Sequence, residues 1–360
     1  MSKTRIGVVF GGQNTEHHVS CASAAGVLAN LRRDRYEPVP VRIAEDGTWR
    51  VATAGEVPAG LDAAGLIALT SGADDDRAGS MAAAIAALGS VDVIFPVLHG
   101  VLGEDGAVQG LFDLLGVPYV GCGVPASAVG MDKEFTKTVL RAEGITVADG
   151  VVLREPGETL TELDRKRFGL PVFVKPNSGG SSIGITRVAE WAGLDAAVAE
   201  AFRVDTKVLV EPAVAGREVG ISVLEHPDGR VATAPPVESR MDAGRHTFLD
   251  HAAKYEDSTT SLRIPADVSP AVAAALAEMA TVAFRVLGCV GLVRVDFFVH
   301  VEGGETTIVL NEVNTLPGLT PASQFPAAWA KGGLAYPELL DVLVDTALAR
   351  GVRRRTPTAR

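Results

Sequence analysis

Two apolar runs, Leu292-Val293-Arg294-Val295-Asp296-Phe297-Phe298 and Ile308-Val309-Leu310-Asn311-Glu312-Val313-Asn314, constrain the fold most. Both are rich in β-branched and aromatic residues, and the polar turn Glu302 to Glu305 separates them, so they read as a β-hairpin. Alternation puts Arg294, Asp296 and Phe298 on one face of the first strand, and Leu310, Glu312 and Asn314 on one face of the second. Asp296, Glu312 and Asn314 then converge. Oxygen ligands of this kind suit a hard cation such as Mg²⁺, which fills its other positions with water and phosphate oxygens. A hairpin with solvated acids is the plainer alternative, and it fits a lone Asp better than it fits three oxygen side chains and an arginine on shared faces. The metal reading needs a phosphate donor nearby.

A chain of 360 residues is too long for one ordinary core and implies two or three domains. With 47% hydrophobic and 21% charged residues it reads as a soluble globular protein. The Ala-rich stretch from Met81 to Leu88 is cut by Gly89, Ser90 and Asp92, short of membrane-spanning length. Arg5 to Phe10 is a short strand followed at once by glycines, unlike a signal peptide, so a cytoplasmic protein is expected. Cys21, Cys122 and Cys289 lie too far apart for a zinc spacing or a disulfide framework, and read as buried small residues. A net charge of −11 argues against nucleic acid as the main partner. The basic end from Gly351 reads as a disordered tail.

Arg5 to Phe10, Gly11-Gly12 and a helix from Ser20 to Leu31 form a strand, a glycine loop and a helix. Glu16, His17, His18 and Ser20 sit between the glycines and that helix, where an open sheet binds ligands. Asn14, Thr15 and Ser20 also suit simple helix capping, which leaves Glu16 as the better functional candidate. A second such loop, Leu98 to Gly106, follows the strand Val91 to Pro96. Its acidic pair Glu104-Asp105 favours the N-terminus of a helix from Ala107 to Leu115, and Val117 to Val120 reads as the next strand. These units describe a small parallel α/β domain with Glu16 and His99 at one edge. His99 reads equally well as a structural histidine.

Gly121-Cys122-Gly123-Val124-Pro125-Ala126 matches the dinucleotide fingerprint in form. A charged helix, Met131 to Glu143, follows it in place of a strand with an acidic tip, so it reads as a linker turn. Leu170 to Lys175, then Pro176-Asn177-Ser178-Gly179-Gly180-Ser181-Ser182-Ile183-Gly184 and another strand, form a glycine-serine hairpin. Its N–H groups and hydroxyls can wrap phosphate oxygens, and Lys175 at the strand end supplies positive charge; a merely flexible hairpin is the other reading. Glu211 and Glu218 lie in the connector after the strand Lys207 to Pro212. The aperiodic segment Glu238 to Ser261 reads as a lid, Ala266 to Leu287 as an amphipathic helix, Thr320 to Phe325 as a polar loop and Tyr336 to Leu348 as a final helix.

These features together resemble the ATP-grasp enzymes. From Gly11 to Leu348 the chain resembles the D-alanine:D-alanine ligase family through dispersed motifs: His99-Gly100 with Gly103-Glu104-Asp105-Gly106, Met131-Asp132-Lys133, Gly180-Ser181-Ser182-Ile183-Gly184, Ala253-Lys254-Tyr255, Arg294-Val295-Asp296, and Asn311 to Gly318. The resemblance implies an α/β protein with an N-terminal open parallel sheet (Rossmann-like) and a two-subdomain ATP-grasp fold. The limits are 1–122 for the substrate domain, 123–214 for the central subdomain with the glycine-serine loop, 215–350 for the C-terminal subdomain with lid and Mg²⁺ site, and 351–360 for the tail.

It further implies that ATP phosphorylates the carboxylate of one D-alanine, and that the amine of a second attacks the acylphosphate, for peptidoglycan precursor synthesis. Lys133, Lys175, Ser182 and Lys254 would hold ATP phosphates, and Glu211 and Glu218 the adenine and ribose. Asp296, Glu312 and Asn314 would hold two Mg²⁺ ions, or Mn²⁺ in their place. Arg294 and the N–H of Gly318 would stabilise the oxyanion. Glu16 would grip the first ammonium with Ser181 and Tyr255, while His99, Ser323 and Gln324 would line the amino acid sites. A homodimer is the family expectation. His18, Asn14, Gln324 and the lid segment Leu249-Asp250-His251-Ala252 depart from the usual pattern near the amino acids, not the ATP. A dipeptide ligase with another first or second substrate, of D-alanyl-D-serine or D-lactate type, is the alternative; a binding protein that keeps the shape without turnover is the rival from another class.

Overall fold

The computed structural model describes residues 2–52, 57–58, 60–71, 76–180, 183–240 and 261–351. Its first sheet contains β1 (Thr4–Gly11), β2 (Tyr36–Ile43), β3 (Trp49–Val51) and β4 (Val93–Leu98), in the order β3-β2-β1-β4. β1 runs parallel to β2 and β4, and β3 is an antiparallel edge. Ile6, Val8 and Phe10 enter one core while Val9 enters another, so both faces of β1 are covered, as a parallel sheet requires. Tyr119 makes only an isolated parallel bridge to Ile94, so the strand expected over Val117 to Val120 is not continued.

Helix α1 (His17–Asn30) begins at His17, not at Ser20, with Glu16 as its N-cap residue. The tight entry depends on Gly11, whose φ is +91° and whose hypothetical Cβ would run into the carbonyl of Ile43. Because that obstacle is backbone, Gly11→Ala should cost at least about 2 kcal/mol. Urea unfolding checks this, and an unchanged midpoint would refute the steric account. Helices α2 (Ala63–Leu69), α3 (Arg77–Leu88) and α4 (Ala107–Leu115) complete this region.

The charged helix expected from Met131 to Glu143 is two helices, α5 (Val124–Met131) and α6 (Lys133–Ala142). They break at Asp132, which is extended and whose carboxylate accepts the Phe135 N–H as an N-cap. A second, antiparallel sheet of β5 (Val151–Leu153), β6 (Val172–Pro176), β7 (Thr186–Val188) and β8 (Val208–Pro212) follows, in the order β5-β8-β6-β7. The pairing of β6 with β7 is the expected glycine-serine hairpin. Helices α7 (Glu162–Phe168) and α8 (Leu194–Ala201) accompany this sheet.

The third sheet joins β9 (Arg217–Glu225), β10 (Val231–Thr233), β11 (Val237–Arg240), β12 (Ser261–Arg263), β13 (Leu292–Glu302) and β14 (Glu305–Asn314). Its order is β12-β11-β9-β13-β14, with β10 beside β9. The segment expected to be irregular from Glu238 therefore starts in strand β11 and ends in β12; residues 241–260 lie outside the described residues. Helix α9 (Pro270–Val286) is shorter than the expected Ala266 to Leu287 and packs on β9 and β13.

Helices α10 (Gln324–Lys331) and α11 (Tyr336–Arg350) complete the described chain. Leu339, Leu340, Leu343, Val344 and Ala347 of α11 share one core with Ile6, Val8, Phe10 and Phe95 of the first sheet. Arg350 pairs with Glu225, and Arg32 and Arg35 with Asp341. All three cysteines are buried thiols outside any disulfide. No helix among the described residues is long and apolar enough to cross a membrane.

Candidate active site

The β13–β14 register sets Arg294 opposite Asn314 and Asp296 opposite Glu312. The register then shifts, and the next pair is Phe297 with Leu310. This bulge at Asn311 corrects one expectation: Leu310 does not share a face with Glu312 but joins Val295, Phe297 and Val313 in the core. The extra residue lets two core-facing stretches flank one polar face. On that face Arg294 grips Asp296 through Nε at 2.8 Å and through a terminal nitrogen at 2.8 Å, and the Asn314 amide donates to Asp296 at 2.9 Å. Two carboxylates and an amide, with no thiolate or imidazole, form a donor set for a hard cation, and their oxygens fit Mg²⁺.

Glu312 and Asn314 of β14 line a cleft with Glu104, Met131, Lys133 and Gly180. Lys133, at the start of α6, is buried and donates from Nζ to the Gly179 carbonyl at 2.6 Å. Asn177 docks the glycine-serine loop on that helix start: its carbonyl accepts the Lys133 N–H and its side chain the Glu134 N–H. Lys175 lies 2.5 Å from Glu211 Oε2, and Lys137 holds Glu211 Oε1. Both oxygens of the buried Glu211 are thus engaged by lysines, an arrangement different from the nucleoside contact that the resemblance implies for it. Burial would lower the Lys175 pKa, but Glu211 holds it above its ordinary value. Burial pushes Lys137 down to about 8 despite Glu211, and the two lysines keep the Glu211 carboxyl low despite its own burial. Glu218 lies in β9 opposite Phe298 of β13, within a strand rather than a connector.

Glu16 is buried, and its N–H donates to Asn14 Oδ1 at 2.9 Å. A Cβ on Gly100 would collide with its carboxylate, and one on Gly180 would come within 2.6 Å. Glycine at those positions therefore lets the loop after β4 and the glycine-serine loop close on Glu16. His99 is buried beside it, with Nδ1 3.1 Å from the Leu316 carbonyl and Nε2 3.2 Å from Ser23 Oγ. Glu104 does not serve the α4 N-terminus as expected; Asp105 does, accepting the Ala107 N–H at 3.0 Å. Instead Glu104 accepts the N–H groups of Gly100 at 2.8 Å and Leu316 at 3.1 Å. Burial, with the Glu16 charge adding to it, pushes its carboxyl up to about 8.

Gly318 lies where a Cβ would meet Ser323 Oγ at 3.0 Å, which brings those two residues together. Ser323 is the N-cap residue of α10, which begins inside the segment expected as a loop, and its hydroxyl bonds Thr320. Gln324 donates to Ser239 Oγ at 3.0 Å, and its Oε1 is buried with no hydrogen-bond partner among the described residues. Ser181, Ser182, Lys254 and Tyr255 lie outside the described residues. Sequence reading missed Lys137, Glu104 and Asn177 as parts of this site. Their motif neighbours were visible, but Lys137 meets Glu211 74 positions on, Glu104 meets Leu316 212 positions on, and Asn177 meets the start of α6 43 positions back.

Comparison with known proteins supplies the family. The N-terminal family described as "D-ala D-ala ligase N-terminus" matches residues 5–122, and "D-ala D-ala ligase C-terminus" matches residues 139–345. The chain is 49% identical over 365 residues to a D-alanine–D-alanine ligase of Nocardia farcinica, covering 98% of this chain and 99% of that protein. It is 50% identical over 370 residues to one of Rhodococcus opacus, again covering 98% and 99%. Among solved structures it is similar to the VanG D-Ala:D-Ser ligase from Enterococcus faecalis, with TM-score 0.79, 32% identity and coverage of 96% of this chain and 100% of that one. The D-alanine-D-alanine ligase from Coxiella burnetii gives TM-score 0.75 at 32% identity, with coverage of 97% and 96%. Matches to both family halves, across nearly all of the chain, place this protein in the D-ala D-ala ligase family, with its ATP-grasp fold.

Proposed function

We propose that this protein joins two D-alanine molecules at the expense of ATP, through an acylphosphate of the first, for cell wall synthesis. The observation that carries the reading is one cleft in which the Glu312–Asn314 face meets Lys133 and Gly180, with Glu16 against Gly180. Such a cleft sets cations for phosphate beside an acid for an ammonium, as the joining of two zwitterions requires. The chain divides into bodies at 1–122, 123–214 and 215–350, with the reaction where they meet.

Glu16 binds the first ammonium, and Lys133 and Lys175 bind phosphate oxygens. Asp296, Glu312 and Asn314 would hold Mg²⁺, which when bound neutralises charge on the transferred phosphoryl group. Arg294 and the Gly318 N–H face the oxyanion, where one donor is typically worth roughly 3 kcal/mol. Ser323, next to Gly318, holds the second carboxylate.

Mg²⁺-dependent release of ADP and phosphate is the expected result on adding D-alanine, with the dipeptide seen by mass. Release with a different pair of amino acids but none with D-alanine would overturn the substrate. Gln324 favours one second reading: its Oε1, without a partner among the described residues, accepts a donor on a second substrate such as D-serine. The same assay with mixed D-alanine and D-serine separates the two.

A further inference from the structure

We infer that His99 is a positioning residue, which as the neutral Nδ1–H tautomer fixes the segment Leu316–Leu319 and thereby aims the N–H of Gly318. A carbonyl has no proton to give, so the 3.1 Å contact between Nδ1 and the Leu316 oxygen requires the proton on Nδ1. Burial holds the imidazole neutral by lowering its pKa. Its Nε2 is then an acceptor, and the Ser23 hydroxyl 3.2 Å away must donate to it. The lone pairs of Ser23 Oγ face the Leu319 N–H at 3.3 Å.

The result is a closed set of contacts around four residues. Leu316 is held by its carbonyl through His99 and by its N–H through Glu104. Leu319 is held by its N–H through Ser23, and by its carbonyl through the Tyr336 hydroxyl. Between the anchors lie Pro317, which has no N–H, and Gly318, whose N–H donates to no oxygen among the described residues. A donor spanned by fixed points at both ends is preorganised, and preorganised donors are where oxyanion stabilisation arises. His99 directly follows β4 and Ser23 lies in α1, so the N-terminal sheet sets the geometry of a loop that leaves the third sheet. Both ring nitrogens of His99 are occupied in this way, which replaces the substrate contact expected for it from the sequence.

The inference rests on the proposed ligase reaction, and the test separates their failures. Asparagine places its amide nitrogen near the position of Nδ1, whereas glutamine reaches the position of Nε2. His99→Asn should therefore keep kcat within about 3-fold of the parent, while His99→Gln should lose at least about 10-fold, with KM for ATP unchanged in both. Ser23→Ala should fall between them. In parallel, ¹⁵N-histidine NMR of the unsubstituted protein should show the Nδ1–H tautomer at His99, a readout that survives even if a variant fails to fold. Equal losses in the Asn and Gln variants with a raised KM for D-alanine would make His99 a substrate ligand and overturn the inference, as would an Nε2–H tautomer. If the unsubstituted enzyme turns over no amino acid, the ligase reading itself fails, and the tautomer measurement still decides the contact.

Discussion

Glu312→Gln should reduce ADP release at saturating ATP by roughly 10³-fold or more while leaving the unfolding midpoint within about 1 kcal/mol of the parent. The exchange keeps the shape of the side chain and one oxygen but removes a full negative charge from the polar face of β13–β14. Glu312 faces a cleft rather than the core, since its neighbours Val313 and Leu310 supply the burial. The fold therefore loses little. A divalent cation loses one of its two carboxylates, and several kcal/mol of charge stabilisation corresponds to about three powers of ten in rate. Full activity in the variant would refute the assignment of the metal to this face. A collapse of stability would show that the attraction of Glu312 to Lys175 also holds the fold.

Glu211→Ala is expected to act first on stability, by about 3–5 kcal/mol, because it strands two buried ammonium groups, Lys137 and Lys175, with no anion between them. Urea unfolding near neutral pH measures the loss, and a change below about 1 kcal/mol would mean that water already compensates those charges. The double variant Lys137→Met, Glu211→Ala should regain part of the loss, since one stranded charge is gone and the site can close over the methionine. Activity should not return with it, because Lys175 would still lack the partner that fixes its direction toward phosphate.

The β13–β14 hairpin was legible because period-two alternation and a Gly303-Gly304 turn with both φ values positive act locally. Its bulge was not, because nothing in Leu310-Asn311-Glu312 itself says that Asn311 goes unopposed; only packing of Leu310 against the core decides that. Motif reading assigned Lys133 and Lys175 to one ligand and Glu16 to another, while the lysine bridge at Glu211 joins residues 74 positions apart and has no local signature. Glu104 was assigned to a helix end because its neighbour Asp105 belongs there. The segment it grips, at Leu316, lies 212 residues on. Local rules found the elements, and misses fell where one side chain serves two distant stretches.

The sharing of one core between α11 and the first sheet has a consequence for synthesis on the ribosome. When residues 1–122 have emerged, Ile6, Val8 and Phe10 have Ala24, Val27 and Leu28 of α1 in their core but still lack Leu339, Leu343 and Val344 of α11. That shared core stays incomplete until α11 has been made. The N-terminal sheet can therefore take on α1 early in synthesis, but its core is completed only when the C-terminal helix arrives.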